Sequence, residues 1–167
     1  MAKITFTGGD DFGARLEKLS HEDARGMIKR AVKRGAAPVA DAIKEAIRAL
    51  VVTEEGYERH GSERRMLTSI TKRQKEGLLE SMGIASVRED KNGFINVKVG
   101  FDGYNTVKTK KFPQGQPNAL IARAINSGTS FRKKTRFIDK AVKITEAQSI
   151  KAMDESINAD IQEIFEK

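Results

Sequence analysis

The two histidines of this chain are the first residues to test for metal or acid–base chemistry. His21 precedes a helical pattern, and His60 lies in a segment rich in charged residues and glycine. Neither has a second histidine or a carboxylate at the spacing of a metal site. The chain also has no cysteine, so disulfides, thiolate zinc and cysteine nucleophiles are excluded. The spacing of these residues therefore predicts no metal site.

Adjacent carboxylates could in principle form an acid–base couple. The four pairs are Asp10-Asp11, Glu22-Asp23, Glu54-Glu55 and Glu89-Asp90. Three of them lie at predicted helix ends or turns, where capping and the helix dipole account for them. No serine or threonine stands in a nucleophile elbow, and Gly8-Gly9 lacks the rest of a phosphate-binding fingerprint. We therefore do not expect an enzyme. An enzyme whose catalytic site these patterns miss remains one alternative.

Charge is distributed unevenly along the 167 residues. Lys and Arg number 31 against 23 Asp and Glu, which gives a net charge of +8 and favours an acidic partner. Residues 103–136 contain eight basic residues and no acidic one, whereas residues 145–167 contain six acids and two lysines. The chain thus has a basic segment followed by an acidic one.

The basic segment predicts a surface that contacts a partner protein or the DNA backbone. The residues expected to make this contact are Lys108, Lys110, Lys111, Arg132, Lys133, Lys134 and Arg136. The alternative is that these residues form ordinary solvated loops. Since the aromatic residues Tyr104, Phe112 and Phe131 are scattered, any DNA contact would be salt-sensitive and without base stacking.

Apolar periodicity and turn residues predict the elements that position these loops. Helices are predicted at about 10–19, 21–50, 76–82, 117–127 and 137–167, with a kink or break of the second at Pro38. A strand at residues 4–7 and a hairpin around Asn92-Gly93 complete the regular elements. Residues 51–75 show no firm period and are predicted to form a mobile loop, with a helical turn as an option.

These elements predict an α+β fold: a small antiparallel sheet, made of the N-terminal strand and the hairpin, packed against two long helices. No linker or repeat divides the chain, so we expect a single domain over residues 1–167. No window approaches the roughly 18 apolar residues of a membrane span, and no secretory signal is recognisable. We therefore expect a soluble protein without membrane contact.

The predicted C-terminal helix is long for a domain of this size. About 30 residues at 1.5 Å per residue would extend for roughly 45 Å. We therefore expect its far end to pack on a neighbouring subunit, although most apolar stripes of this kind face the core of their own domain. The residues expected at that interface are Ile157, Ile161, Ile164 and Phe165.

Several short segments, taken in order, resemble the tail-completion or neck protein family of long-tailed, siphovirus-type bacteriophages. They are the Gly8–Phe12 step (GGDDF), Gly77–Met82 (GLLESM), Val97–Phe101 (VKVGF), Ala122–Thr129 (ARAINSGT) and Phe137–Ala141 (FIDKA). The chain departs from the family pattern in two places. Lys133–Arg136 (KKTR) replaces a Pro-x-Arg-Pro segment, and Asn126-Ser127 replaces Glu-Phe.

This resemblance implies a structural virion protein that forms a homo-oligomeric ring at the head–tail junction and is assembled in the cytoplasm of the bacterial host. Its implied partners are the head connector or stopper protein and the tail terminator or tail tube protein, with backbone contact to the passing genomic DNA as a further option. It implies no catalysis and no cofactor. The alternative from a different class is a small, basic DNA-binding protein without sequence specificity.

Overall fold

The computed structural model describes residues 21–54, 67–106, 108 and 110–166. For residues 21–22 and 164–166 it gives the helical backbone but not the side chains. In this part of the chain, four helices and four short strands form an α+β fold, which confirms the predicted class. In chain order they are α1 (His21–Arg48), α2 (Lys72–Ser81), β1 (Met82–Ile84), β2 (Arg88–Glu89), β3 (Ile95–Asn96), β4 (Val99–Phe101), α3 (Asn118–Ser127) and α4 (Phe137–Glu166). The predicted strand at 4–7 and helix at 10–19 lie outside the described residues.

Helices α1 and α4 pack against each other in antiparallel directions. Arg30 near the start of α1 pairs with Asp160 near the end of α4, whereas Ile47 and Ala141 share the core at the opposite end. The far end of α4 therefore has a partner within its own chain, so the length argument for a neighbouring subunit is wrong. α1 runs through Pro38 without the predicted break.

The two helices approach closely because small residues line their contact. A Cβ added to Gly35 of α1 would lie 2.5 Å from Cγ of Met153 and 3.1 Å from the carbonyl oxygen of Ser149. Alanine and serine fill much of the remaining contact, including the buried Ala31 and Ser156. At this end the backbones themselves are thus close together.

The hydrophobic core lies at the other end of the helix pair. Its buried residues come from both long helices, α2, β1, α3 and the segment before α2: Ala40, Ile43, Ile47, Ile70, Leu78, Met82, Ile121, Ala122, Ile125, Phe137 and Ala141. Large aliphatic side chains from several elements meet here, so most of the apolar burial that stabilises the fold is at this end.

The predicted hairpin is present. β1 pairs with β4 and β2 with β3, both antiparallel, and the amide of Ala85 donates to Lys98 between the two ladders. At the turn, the Asp90 carboxylate accepts from the amides of Asn92 and Phe94 at 2.9 Å, and Gly93 has a φ of 82°. The Glu89 carboxylate pairs with Arg25 of α1. This carboxylate pair therefore has a structural role, as its position in a turn predicted.

The predicted mobile loop at 51–75 is ordered at both ends. The amide of Ile70 donates to Val51 at 3.0 Å, which joins the two ends of the loop. Helix α2 begins at Lys72, four residues before the predicted start, because Thr71 and Gln74 form a capping box. The first turn of α2 thus supplies the helical turn that was an option for this loop. The mobile loop itself stays a prediction, since residues 55–66 lie outside the described part.

Candidate assembly surfaces

The basic segment forms two loops on either side of α3. We call residues 103–117 the first basic loop and residues 128–136 the basic turn. Lys108, Lys110 and Lys111 are exposed on the first, and Lys133, Lys134 and Arg136 are exposed on the second. Six of the seven predicted contact residues are thus accessible to a partner.

Two buried asparagines hold together the two ends of the first basic loop. The side-chain amide of Asn118 donates to the carbonyl of Asp102 at 3.0 Å, and the backbone amide of Asn105 donates to Gln116 at 2.7 Å. The Asn105 side chain also donates to the carbonyl of Arg73 at 3.1 Å, which ties the loop to α2. Gly77 of α2 leaves room for this asparagine, since an added Cβ would clash with its side-chain amide.

Backbone hydrogen bonds fix the basic turn. Thr129 and Arg132 are paired across the turn, with the Thr129 amide donating at 2.9 Å. Leu67 donates to Phe131 at 2.8 Å and accepts from Lys133 at 3.0 Å, so the turn lies against the segment that precedes α2. The turn therefore has a defined backbone.

Arg132 differs from the other predicted contact residues because it is buried, with 8% of its surface exposed. Its guanidinium donates to the carbonyl of Ser69 at 2.7 Å, and burial lowers its pKa from the ordinary value. An arginine remains charged even so, and the cost of its desolvation is offset by a charge-assisted hydrogen bond. The prediction that Arg132 is a surface contact is therefore corrected: it holds the turn in place.

The end of the basic turn is fixed to the start of α4 by Asn126. Its side-chain oxygen accepts from the amide of Ile138 at 2.9 Å, and its side-chain amide donates to Asp139 at 3.0 Å. The backbone amide of Arg136 donates to the carbonyl of Asn126 at 3.0 Å. Sequence reasoning missed this role because the asparagine is in α3, eleven residues before the helix that it caps.

The second half of α4 carries the other predicted surface. Ile157 and Ile161 are half-buried beside α1, while the side chains of Ile164 and Phe165 lie outside the described residues. On the same side of the helix, Ile150 is 50% exposed. The face thus combines apolar side chains that are only partly covered by the chain itself.

A scan against protein families identifies the chain. The model described as "Bacteriophage HK97-gp10, putative tail-component" matches residues 10–103. The chain belongs to this family. The predicted resemblance is thereby confirmed, and the chain is a tail-related structural protein of a bacteriophage virion. No curated protein and no solved structure matches it.

The matched part of this tail component contains α1, α2 and the hairpin. It ends where the first basic loop begins, so the basic turn and α4 lie beyond the matched residues. The resemblance at Ala122–Thr129 and Phe137–Ala141 also lies beyond them. The match therefore establishes the family but assigns no role to the basic turn or to α4.

The described residues of this tail component hold no group of His, Asp or Glu that could bind a metal ion.

An open cavity of about 1010 Å³ lies between α2 and the first basic loop. The described residues that line it are Val52, Thr53, Glu54, Thr71, Lys72, Arg73, Thr106 and Lys108. Two of its hydroxyls already have structural partners, since Thr53 bonds to Ser69 and Thr71 caps α2. None of the described helices is long and apolar enough to span a membrane.

Proposed function

We propose that this tail component forms a homo-oligomeric ring at the head–tail junction of the virion. There it would join the head connector or stopper protein to the tail terminator or tail tube protein. The chain acts as one domain, is assembled in the cytoplasm of the bacterial host, and needs neither a cofactor nor a catalytic residue. Ile157, Ile161, Ile164 and Phe165 belong to the contact between subunits.

One observation carries this proposal: the basic turn and the exposed acids of α4 lie at separate places along one long helix. The basic turn leads directly into α4, and Glu146 and Asp154 lie 10 and 18 residues beyond Arg136, about 15 and 27 Å along the helix axis. Because α1 packs along α4, the two surfaces are held apart. A subunit with complementary surfaces at separate places can form a closed ring with copies of itself.

The basic loops contact an acidic neighbouring protein rather than line the DNA passage. A strongly cationic wall would bind phosphates and hinder DNA from sliding through the ring. In a ring, many weak polar contacts add up through avidity, so each contact can be modest. Some contact between the basic loops and the phosphate backbone of the passing DNA is compatible with this arrangement.

The first test is the oligomeric state of the purified protein, measured by size-exclusion chromatography with light scattering and by electron microscopy. We expect ring-shaped oligomers and weak binding to random duplex DNA. A monomer or dimer whose DNA affinity falls steeply with salt would instead favour the DNA-binding alternative.

A second test uses the half-buried stripe on α4. We expect Ile161→Asp to weaken assembly more than folding, since part of this side chain is accessible to a neighbour. Thermal unfolding and light scattering of the same sample compare the two losses. Equal loss of both would show that Ile161 belongs to the interior of its own subunit and would remove it from the interface.

A further inference from the structure

An aromatic side chain is exposed at the tip of the basic turn. Phe131 is 57% exposed, although the backbone around it is fixed by the hydrogen bonds to Leu67 and by the buried Arg132. The neighbouring Lys133 and Lys134 are exposed as well. A fixed aromatic group loses little conformational entropy when it docks, which is typical of residues that dominate binding energy.

A matching surface lies along the middle of α4 and continues into its second half. Glu146, Ile150, Asp154, Ile157 and Ile161 follow one another at spacings of three and four, so they lie on one face; we call them the acidic stripe. Both carboxylates are exposed, one turn before and one turn after the half-exposed Ile150. Lys143 is the last basic residue on this face, and Lys151 lies about a quarter turn away. The stripe is thus apolar at its centre and negative beside it.

The turn cannot reach the acidic stripe of its own copy. Glu146 lies ten residues beyond Arg136, about 15 Å along α4, and the rest of the stripe lies still farther away. Asn126 and Arg132 hold the turn at the start of the helix. Two complementary surfaces on one rigid chain that cannot meet within it can meet between copies.

We propose that the basic turn of one copy docks on the acidic stripe of the next copy. Phe131 packs against Ile150 and Ile157, while Lys133 and Lys134 face Glu146 and Asp154. The proposal rests on the ring proposed above and names the contact that closes it. Since the two surfaces differ, the contact is heterologous and repeats from copy to copy around the ring.

Charge reversal on each side tests this pairing. The first variant carries Lys133→Glu and Lys134→Glu, and the second carries Glu146→Lys and Asp154→Lys. Alone, each places like charges across the contact, so we expect rings to be lost in light scattering while thermal unfolding is unchanged. A chain that carries all four changes again offers opposite charges at every contact, whatever the number of subunits, and we expect its oligomers to return.

Phe131→Ser tests the aromatic contact. We expect the protein concentration needed for half-assembly to rise about tenfold or more, as for a central interface residue. Phe94→Ser is the matched control, because Phe94 is 68% exposed at the hairpin tip, away from both surfaces. It should leave assembly unchanged.

The possible outcomes separate this proposal from the ring itself. If native rings form and both charge variants still assemble, the pairing is overturned while the ring stands. If each variant fails alone and the chain with all four changes does not recover, the pairing is likewise overturned. If the native protein forms no oligomer at any salt or concentration tested, the ring and this contact fail together.

Discussion

The two ends of the α1–α4 pair are packed in different ways. At the core end, large aliphatic residues from several elements surround Ile47 and Leu78, both fully buried. At the far end, the described residues bring α1 and α4 together largely through small residues such as Gly35, Ala31 and Ser156, with Met27 and Met153 among them. The hairpin reaches this end only through polar contact, the Glu89–Arg25 pair. The difference indicates that the core end supplies most of the stability, while the far end holds α4 straight and leaves one flank accessible.

The largest effect should come from the core end. Leu78→Ala removes a fully buried side chain and leaves a cavity, so we expect a loss of about 2–5 kcal/mol in the free energy of unfolding. Leu79→Ala is the matched control, because the neighbouring leucine is only half-buried. Denaturant unfolding measures both. Equal losses would contradict the view that the core is concentrated around Leu78.

At the far end, stability should fall when a larger side chain is placed between the two helices rather than when a side chain is made smaller. Gly35→Val places methyl groups where Met153 and the Ser149 carbonyl already lie, so we expect a loss of about 1–3 kcal/mol. Gly26→Ala is the matched control on the same helix, since among the described residues its added methyl meets only the Arg30 guanidinium, at 3.5 Å. That change should stabilise the protein by up to about 1 kcal/mol through helix propensity.

If Gly35→Val were tolerated without loss of stability, the close approach of the two backbones would not be needed. The far end would then resemble an ordinary helix contact, and the contrast with the core end would disappear.

The buried arginine tests whether polar contacts also stabilise the core end. Arg132→Ala leaves the Ser69 carbonyl without its charged donor, so we expect a loss of about 1–3 kcal/mol. Lys134→Ala, two residues away and exposed, should change stability by no more than about 0.5 kcal/mol. Denaturant unfolding compares the two variants. A neutral Arg132→Ala would return this residue to the set of surface contacts.

Local patterns predicted most of the described fold. α1, α3, α4 and the hairpin follow from apolar spacing and from the turn residues Asn92, Gly93 and Gly128, which act within a few residues of themselves. The start of α2 was missed because its first turn is charged and its apolar period begins only at Leu78. The capping pair Thr71 and Gln74 was the signal that could have located it.

The packing of α4 could not be predicted from its isoleucines. Its buried face includes Thr145, Ser149 and Ser156, whereas Ile144 and Ile150 are exposed. Thr145 tolerates burial because its hydroxyl donates to the carbonyl of Ala141 at 2.8 Å. The burial of Arg132 was equally hidden, because it depends on Ser69, which is 63 residues away in the chain. The face of α4 was mispredicted because small residues such as Ser149 lie against the closely packed α1, whereas Arg132 was mispredicted because only folding brings its partner near.

The smallest effect is expected for the ion pair at the far end. Arg30 Nε lies 3.0 Å from a carboxylate oxygen of Asp160, but the arginine side chain is more than half exposed to water. A double-mutant cycle with Arg30→Ala and Asp160→Ala should therefore give a coupling energy of about 0.2–1 kcal/mol that decreases with salt. A larger, salt-insensitive coupling would mean that charge as well as close backbone packing fixes the far end. The position of the far half of α4, which carries Ile157 and Ile161, would then depend on this pair, and its loss would disturb assembly before it disturbed the core.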